Sequence, residues 1–529
     1  MKITCCQTGH LYQPLGFSLQ KPVFTWLAEE SAGKYITESR VLVSLHPDMS
    51  EPFLDTGWSE KISYLGYAPK FEQKPRTRYF WQVMSRTDAD EEACSGINWF
   101  ETAKLEEPWA AQWITCDSSE KRHPVFSKDL PITKEVASAR LYICGIGMYK
   151  AYLNGKPVVD EYLTPYSNNY RKWLQYQTYD VTEELNRGGK LKVALGNGWF
   201  LGRYGWQDSV KGCYGDDWML IAEVRVIYAD GTEAVYGTDD TWQVTRSRFV
   251  FSNIYDGEIL DDTLPPVAPV PATLLKELPA GELTARYSPR VIIHTELKPK
   301  LLYTPAGETV FDLGQNMAGG FRYKVCLPKG ETLKLTFGEQ LQKGCFYRDN
   351  LRSAKAEYIY VSDGRPHVLE NQFTFYGGRY VKVEGIKNPD PEDFRGLCYT
   401  TQMDRTGYLE TGHPLVQQLL SNVEWSRLDN FIDVPTDCPQ RDERLGWTGD
   451  AQVFAPTASF FMDTRAFYRK YLWDMRNDQV LRGGAVANYL PNIHGEPGGS
   501  AVWADAATFI PDTVYEAFGD KALLTEHYP

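Results

Sequence analysis

The residues best equipped for chemistry sit together in one stretch of eighteen, Asp433-Val-Pro-Thr-Asp-Cys-Pro-Gln-Arg-Asp-Glu-Arg-Leu-Gly-Trp-Thr-Gly-Asp450. It holds five carboxylates, two arginines and Trp447. Carboxylates beside guanidinium groups can accept hydrogen bonds from hydroxyls. A carboxyl near an apolar ring, such as Glu443 four residues before Trp447, can have its proton affinity raised and act as a donor. Two prolines and two glycines keep the stretch out of regular structure, and such loops carry a disproportionate share of catalysis. The competing reading is a loop that only caps helices and knits salt bridges.

The elements around this loop change character along the chain. Up to about residue 400 the pattern is that of strands and turns. Pro22–Trp26, Arg40–Ser44 and Thr77–Val83 read as strands of a first β-sandwich, with Trp26 and Trp81 as core rings. Arg140–Cys144 and Tyr149–Leu153 follow, the latter meeting Asn154-Gly155, a strong hairpin signal. Trp199, Phe200, Tyr204 and Trp206 form an aromatic run between glycines, read as a packed loop or a sugar platform. The Pro-rich stretch 262–282 reads as a linker. Val310–Asn316 reads as a strand entering a tight turn at 317–320, with Phe321–Leu327 and Phe375–Val383 as later strands. Near 405 the period becomes helical. Apolar residues at 415, 416, 419, 420, 423 and 428 fall on one helix face. Further helices are expected after Asp450, its candidate N-cap, over 463–478, and over 505–518 with Gly519 as the stop.

Composition narrows the function classes. The formal net charge of −13 argues against a nucleic-acid partner. No apolar stretch is long enough for a membrane span, and the first residues lack a signal-peptide core, so a cytoplasmic location is expected with Met1 as the start. The ten cysteines are irregularly spaced, which fits reduced thiols. The eight histidines show no zinc-binding spacing, so no metal site is expected from motifs.

The string DVPTDCPQRDERLGWTGDAQVFAPTASFFMD resembles the hallmark segment of the bacterial α-L-rhamnosidases of glycoside hydrolase family 78. GMYKAYLNGKPVVDEYLTPYSNNYRKWLQYQTYDVT resembles the family's N-terminal jelly-roll domain; VFDLGQNMAGGF and FTFYGGRYVKVEG resemble its next β-sandwich. The resemblance implies a multidomain chain: a fibronectin-III-like sandwich at 1–106, the jelly roll at 107–285, a concanavalin-like sandwich at 286–403, and at 404–529 the N-terminal part of an all-α (α/α)6 barrel.

The same resemblance implies inverting hydrolysis of terminal α-L-rhamnose from glycosides or oligosaccharides. It makes Glu443 the general acid and Asp437 and Asp450 ligands of the sugar hydroxyls, with Arg441 beside them. Trp447 would wall the sugar pocket, and Trp503 and Asp505 would line it. The general base is expected downstream of residue 529, so the given stretch is expected to be a fragment of a longer protein, or else the product of a truncated gene, and to be inactive alone. No cofactor is required; calcium is known in β modules of the family, and no ligands for it are placed here. The sequence carries no signal for oligomeric state. Two alternatives stand: a non-catalytic rhamnose-binding protein with an incomplete barrel, and another (α/α)6 enzyme such as a lyase. The lyase would want a Tyr/His pair that the central loop lacks.

Overall fold

The computed structural model describes residues 1–205 and 210–528. The strand Arg78–Thr87 alternates buried and half-exposed residues along its whole length, the period-2 pattern of a sheet with one face in a core. It lies between Ile36–Ser44 and Asn98–Thr102. Its inward face meets Phe24, Trp26, Val41 and Phe100, and Phe24 stacks on Trp81 at 4.2 Å. Trp26 and Trp81 are core rings.

Two sheets follow, built around Val136–Ile146 paired with Met219–Tyr228, and around Met148–Leu153 paired with Lys190–Gly196. The turn at Asn154-Gly155 has both residues at positive φ, 53° and 85°, as a two-residue hairpin requires. The Pro-rich stretch is not a free linker. Its Val270–Pro271 pairs at a sheet edge with Gln243–Arg246, and its Thr273–Leu274 pairs with Ile114–Thr115. An edge position tolerates proline's missing N–H. Trp199, Phe200 and Tyr204 are buried in the core; Trp206 lies outside the described residues.

A ten-stranded sheet forms the third region. Two of its strands, Phe249–Asn253 and Gly257–Asp261, come from before residue 285, and the second pairs in parallel with Glu357–Val361. The tight turn expected at 317–320 is absent. One strand runs from Thr309 to Val325, with its irregularity between Asp312 and Met317, where Gly314 takes φ +77°.

Regular strands of this sheet end at Thr401, and a helical region begins at Pro414. Its helices are Pro414–Asn430, Thr448–Phe461, Arg465–Leu481, Ala506–Phe518 and Lys521–His527; two short helices, Thr182–Leu185 and Gly198–Leu201, lie earlier among the strands. Phe431, Ala455, Phe467, Tyr471, Ile510 and Val514 form their shared core. Gly519 ends its helix in the left-handed conformation. One helix expectation is corrected: Asp450 is in the first turn, with Trp447 at the N-cap. The helix expected over 413–431 is present as Pro414–Asn430, with Leu415, Val416 and Leu419 exposed while Arg427, Leu428 and Asp429 are buried.

Candidate active site

The chemical loop starts with a sharp reversal. Phe431–Ile432 folds back on Val434–Pro435 about Asp433, which takes φ +68°, a conformation aspartate tolerates better than most residues. The loop rejoins regular structure where Gly446–Trp447 pairs with Tyr489–Leu490. Between these ends it rests on the β regions. Arg444 is buried, and its guanidinium donates to four carbonyls, those of Ile254, Phe375, Gln440 and Arg441. Burial pulls this guanidinium down to about 10, still charged at neutral pH. The Tyr255 hydroxyl donates to the Glu443 carbonyl at 2.7 Å. Gly377 lets the loop lie this close, because a Cβ there would stand 2.7 Å from the Gln440 Cα.

Glu443 is buried, with 7% of its surface exposed. Its Oε1 accepts from Trp447 Nε1 at 3.0 Å. Its Oε2 faces two guanidinium groups, Arg441 Nε at 3.1 Å and Arg352 Nη1 at 2.9 Å. Trp447 therefore meets the acid with its N–H and not only as an apolar wall; its ring also packs on Tyr489. Arg441 reaches both ways, its Nη2 lying 3.2 Å from Asp437 Oδ2. Asp437 is pushed up to about 6, first by burial and then by the charge of Glu443. Asp450 is also raised, by burial with Glu443 adding.

A cavity of about 440 Å³ is lined by Asp437, Thr436, Asp450, Phe454 and Trp503 among others; Glu443, Arg441 and Trp447 are not among its lining residues. Gly449 makes room for Trp503, since a Cβ there would stand 2.9 Å from the indole. The structure thus links Asp437, Arg441, Glu443 and Trp447 by direct contacts, and Asp437, Asp450 and Trp503 line one cavity. Asp505, like Asp450, is exposed; it stands at the N-cap position of Ala506–Phe518 and its carboxylate accepts from the Val502 N–H at 3.1 Å, and it does not line the cavity. Arg352 and Tyr255 are the contacts that sequence reasoning missed, since nothing in their local sequence marks them. Asp437, Cys438 and Glu443 bring potential metal-donor atoms within 4.8 Å of one another, as do Asp262, Asp363 and His367. Burial pushes the Cys438 thiol up, away from the ionised form a metal prefers.

Four family descriptions match successive parts of the chain: an immunoglobulin domain like that N-terminal in Rha78A over 3–106, the α-L-rhamnosidase N-terminal domain over 134–268, the bacterial α-L-rhamnosidase concanavalin-like domain over 302–399, and the bacterial α-L-rhamnosidase six-hairpin glycosidase domain over 404–529. The chain belongs to the bacterial α-L-rhamnosidase family. An α-L-rhamnosidase of Formosa agariphila is 33% identical over 97% of this chain, which spans 59% of that relative. The structure of α-L-rhamnosidase from Dictyoglumus thermophilum superposes with a TM-score of 0.92 at 31% identity, over 100% of this chain and 63% of that one. A Streptomyces avermitilis α-L-rhamnosidase complexed with L-rhamnose superposes at 0.90 and 25% identity, over 99% and 70%. The chain thus spans about three fifths of the length of the first of these rhamnosidases. As in the family, immunoglobulin-like and sandwich domains precede a six-hairpin glycosidase domain.

Proposed function

We propose that the protein hydrolyses terminal α-L-rhamnosides with inversion, on an (α/α)6 barrel to which the helical region contributes, and that Glu443 is the general acid. The observation that carries this is the setting of Glu443, a buried carboxyl of fixed orientation that shares Arg441 with Asp437, which lines a cavity together with Asp450. Asp437 and Asp450 would accept hydrogen bonds from the sugar hydroxyls, and Trp503 would lie against the ring. Glu443 would protonate the glycosidic oxygen as the bond to the anomeric carbon breaks. Inversion needs a second carboxylate about 6.5–9.5 Å away across that carbon to activate water. Asp437 and Asp450 are given the hydroxyl-binding role instead, so no described residue is assigned as the base. The reaction as written requires no cofactor.

The test is Glu443→Gln in the complete gene product, assayed on p-nitrophenyl α-L-rhamnoside. The amide keeps the shape and removes the proton. Turnover should fall by about 10²–10⁴-fold with rhamnose binding largely kept. Near-normal turnover would place the acid elsewhere.

A further inference from the structure

We infer that Arg352, supplied by the third β region, is a positioning residue for the general acid: with Arg441 it sets two cations against one oxygen of the Glu443 carboxyl and so confines the transferable proton to the other. The inference rests on Glu443 being the acid.

Each carboxyl oxygen has two in-plane lone pairs. Oε2 accepts a hydrogen bond from Arg441 Nε at 3.1 Å and lies 2.9 Å from Arg352 Nη1 in an ion pair, so two cations face that oxygen and disfavour a proton on it. Among the described residues Oε1 accepts only from Trp447 Nε1, at 3.0 Å. One lone pair of Oε1 is left to carry the proton. When that proton passes to the glycosidic oxygen, the O–H bond at Oε1 breaks and the electron pair of the breaking glycosidic bond goes to the leaving oxygen. Glu443 becomes a carboxylate, with two guanidinium groups already in place on Oε2. Such charge-assisted contacts are stronger than neutral ones.

The placement of Arg352 is built and not incidental. It follows a single 3-10 turn at Asp349–Leu351 and takes φ +57°, a strained conformation for arginine. Its Nη1 also donates to the Asp442 carbonyl at 3.4 Å. The next residue, Ser353, donates its hydroxyl to Asp442 Oδ2. Arg203 in turn donates to Ser353 Oγ at 2.6 Å and to Asp256 Oδ1 at 2.9 Å. A strained backbone whose Arg352 and Ser353 side chains both bond to Asp442, the neighbour of Glu443, is what holds the guanidinium against Oε2. The plainer reading is a partly exposed ion pair of little consequence, since 42% of the Arg352 side chain is exposed.

Leaving-group chemistry separates the two. A nitrophenolate departs with little proton assistance, whereas an alkoxide needs all of it. In the complete gene product, wild type, Arg352→Met and Arg352→Lys are compared on p-nitrophenyl and methyl α-L-rhamnoside. Arg352→Met should lose at least about tenfold more kcat on the methyl glycoside than on the nitrophenyl one, a part of the 10²–10⁴-fold that a general acid supplies. KM should stay within about twofold, and Arg352→Lys should recover most of the loss. An equal loss on both substrates, as a folding defect would give, overturns the inference, and so does no loss. A wild type that turns over neither rhamnoside removes the hydrolase reading itself and this inference with it.

Discussion

Asp433 and Asp437 stand four residues apart on one loop and are both largely shielded from water, yet they are held in opposite ways. Asp433 Oδ2 accepts from the Ser167 N–H at 2.9 Å and from Lys470 Nζ at 2.8 Å, and its Oδ1 accepts from Ser288 Oγ at 2.6 Å. Its own N–H donates to Thr401 Oγ1. Lys470 is equally saturated, meeting Asp433, Asp474 and the Ser167 carbonyl. Asp437 has Arg441 on one oxygen, while its buried Oδ1 has no hydrogen-bond partner among the described residues. Burial alone therefore does not make a carboxylate functional. Three donors turn Asp433 into a rivet joining the second β region to the helices. A spare oxygen leaves Asp437 able to accept a further hydrogen bond, at the cost of a poorly stabilised buried charge.

The sharpest way to break this contrast is Lys470→Met. It leaves Asp433 and Asp474 buried without their cation, and should cost about 3–5 kcal/mol in urea unfolding. A cost below about 1 kcal/mol would mean the rivet is not one.

Asp437→Asn should do the reverse. The Asp437 carboxyl goes from an ordinary value of 3.8 to about 6 on folding, so the native state binds its proton more tightly than the unfolded chain does. Stability from this group is complete below about pH 4 and is lost as the pH rises through 6. The asparagine variant should therefore be more stable than the parent at pH 7, by about 1–3 kcal/mol, and no more stable at pH 4. Unfolding curves at the two pH values check both sign and window, and a variant less stable than the parent at pH 7 would contradict the assignment.

The smallest effect is expected from Ser288→Ala, which takes one of the three donors from Asp433. The loss should be about 1 kcal/mol in the same unfolding assay. A loss as large as that of Lys470→Met would mean that the hydroxyl, and not the cation, holds the rivet.

What could be read in advance follows the range over which each contact acts. Glu443, Arg441, Asp437 and Trp447 touch within a few positions of one another, so their grouping is visible in one segment. Tyr255 is 188 positions from the carbonyl it holds, and Arg352 donates to a carbonyl 90 positions on. No local pattern announces such pairs. The helix at 414–430 shows the same limit. Apolar spacing locates it, but burial is decided by what packs against it, and there the covered residues are Arg427, Leu428 and Asp429. The Pro-rich stretch misleads because composition reports stiffness and says nothing of the sheet edges at 243–246 and 114–115 that the chain returns to.

The parallel pairing of Gly257–Asp261 with Glu357–Val361 has a consequence for the order in which the protein can be made. The earlier strand leaves the ribosome first and has no neighbour on that side until its partner emerges, and closing so long a loop is entropically slow. Between the hairpin strands of that early segment lie Ile254 and Tyr255, whose carbonyl and hydroxyl grip the loop bearing Glu443. During synthesis the seat of the acid is thus set only after the third sheet has closed, and the loop emerges from the ribosome after that sheet's last strand. Grafting the helical region onto foreign β modules would have to carry residues 249–261 along, because they belong at once to the sheet and to the seat.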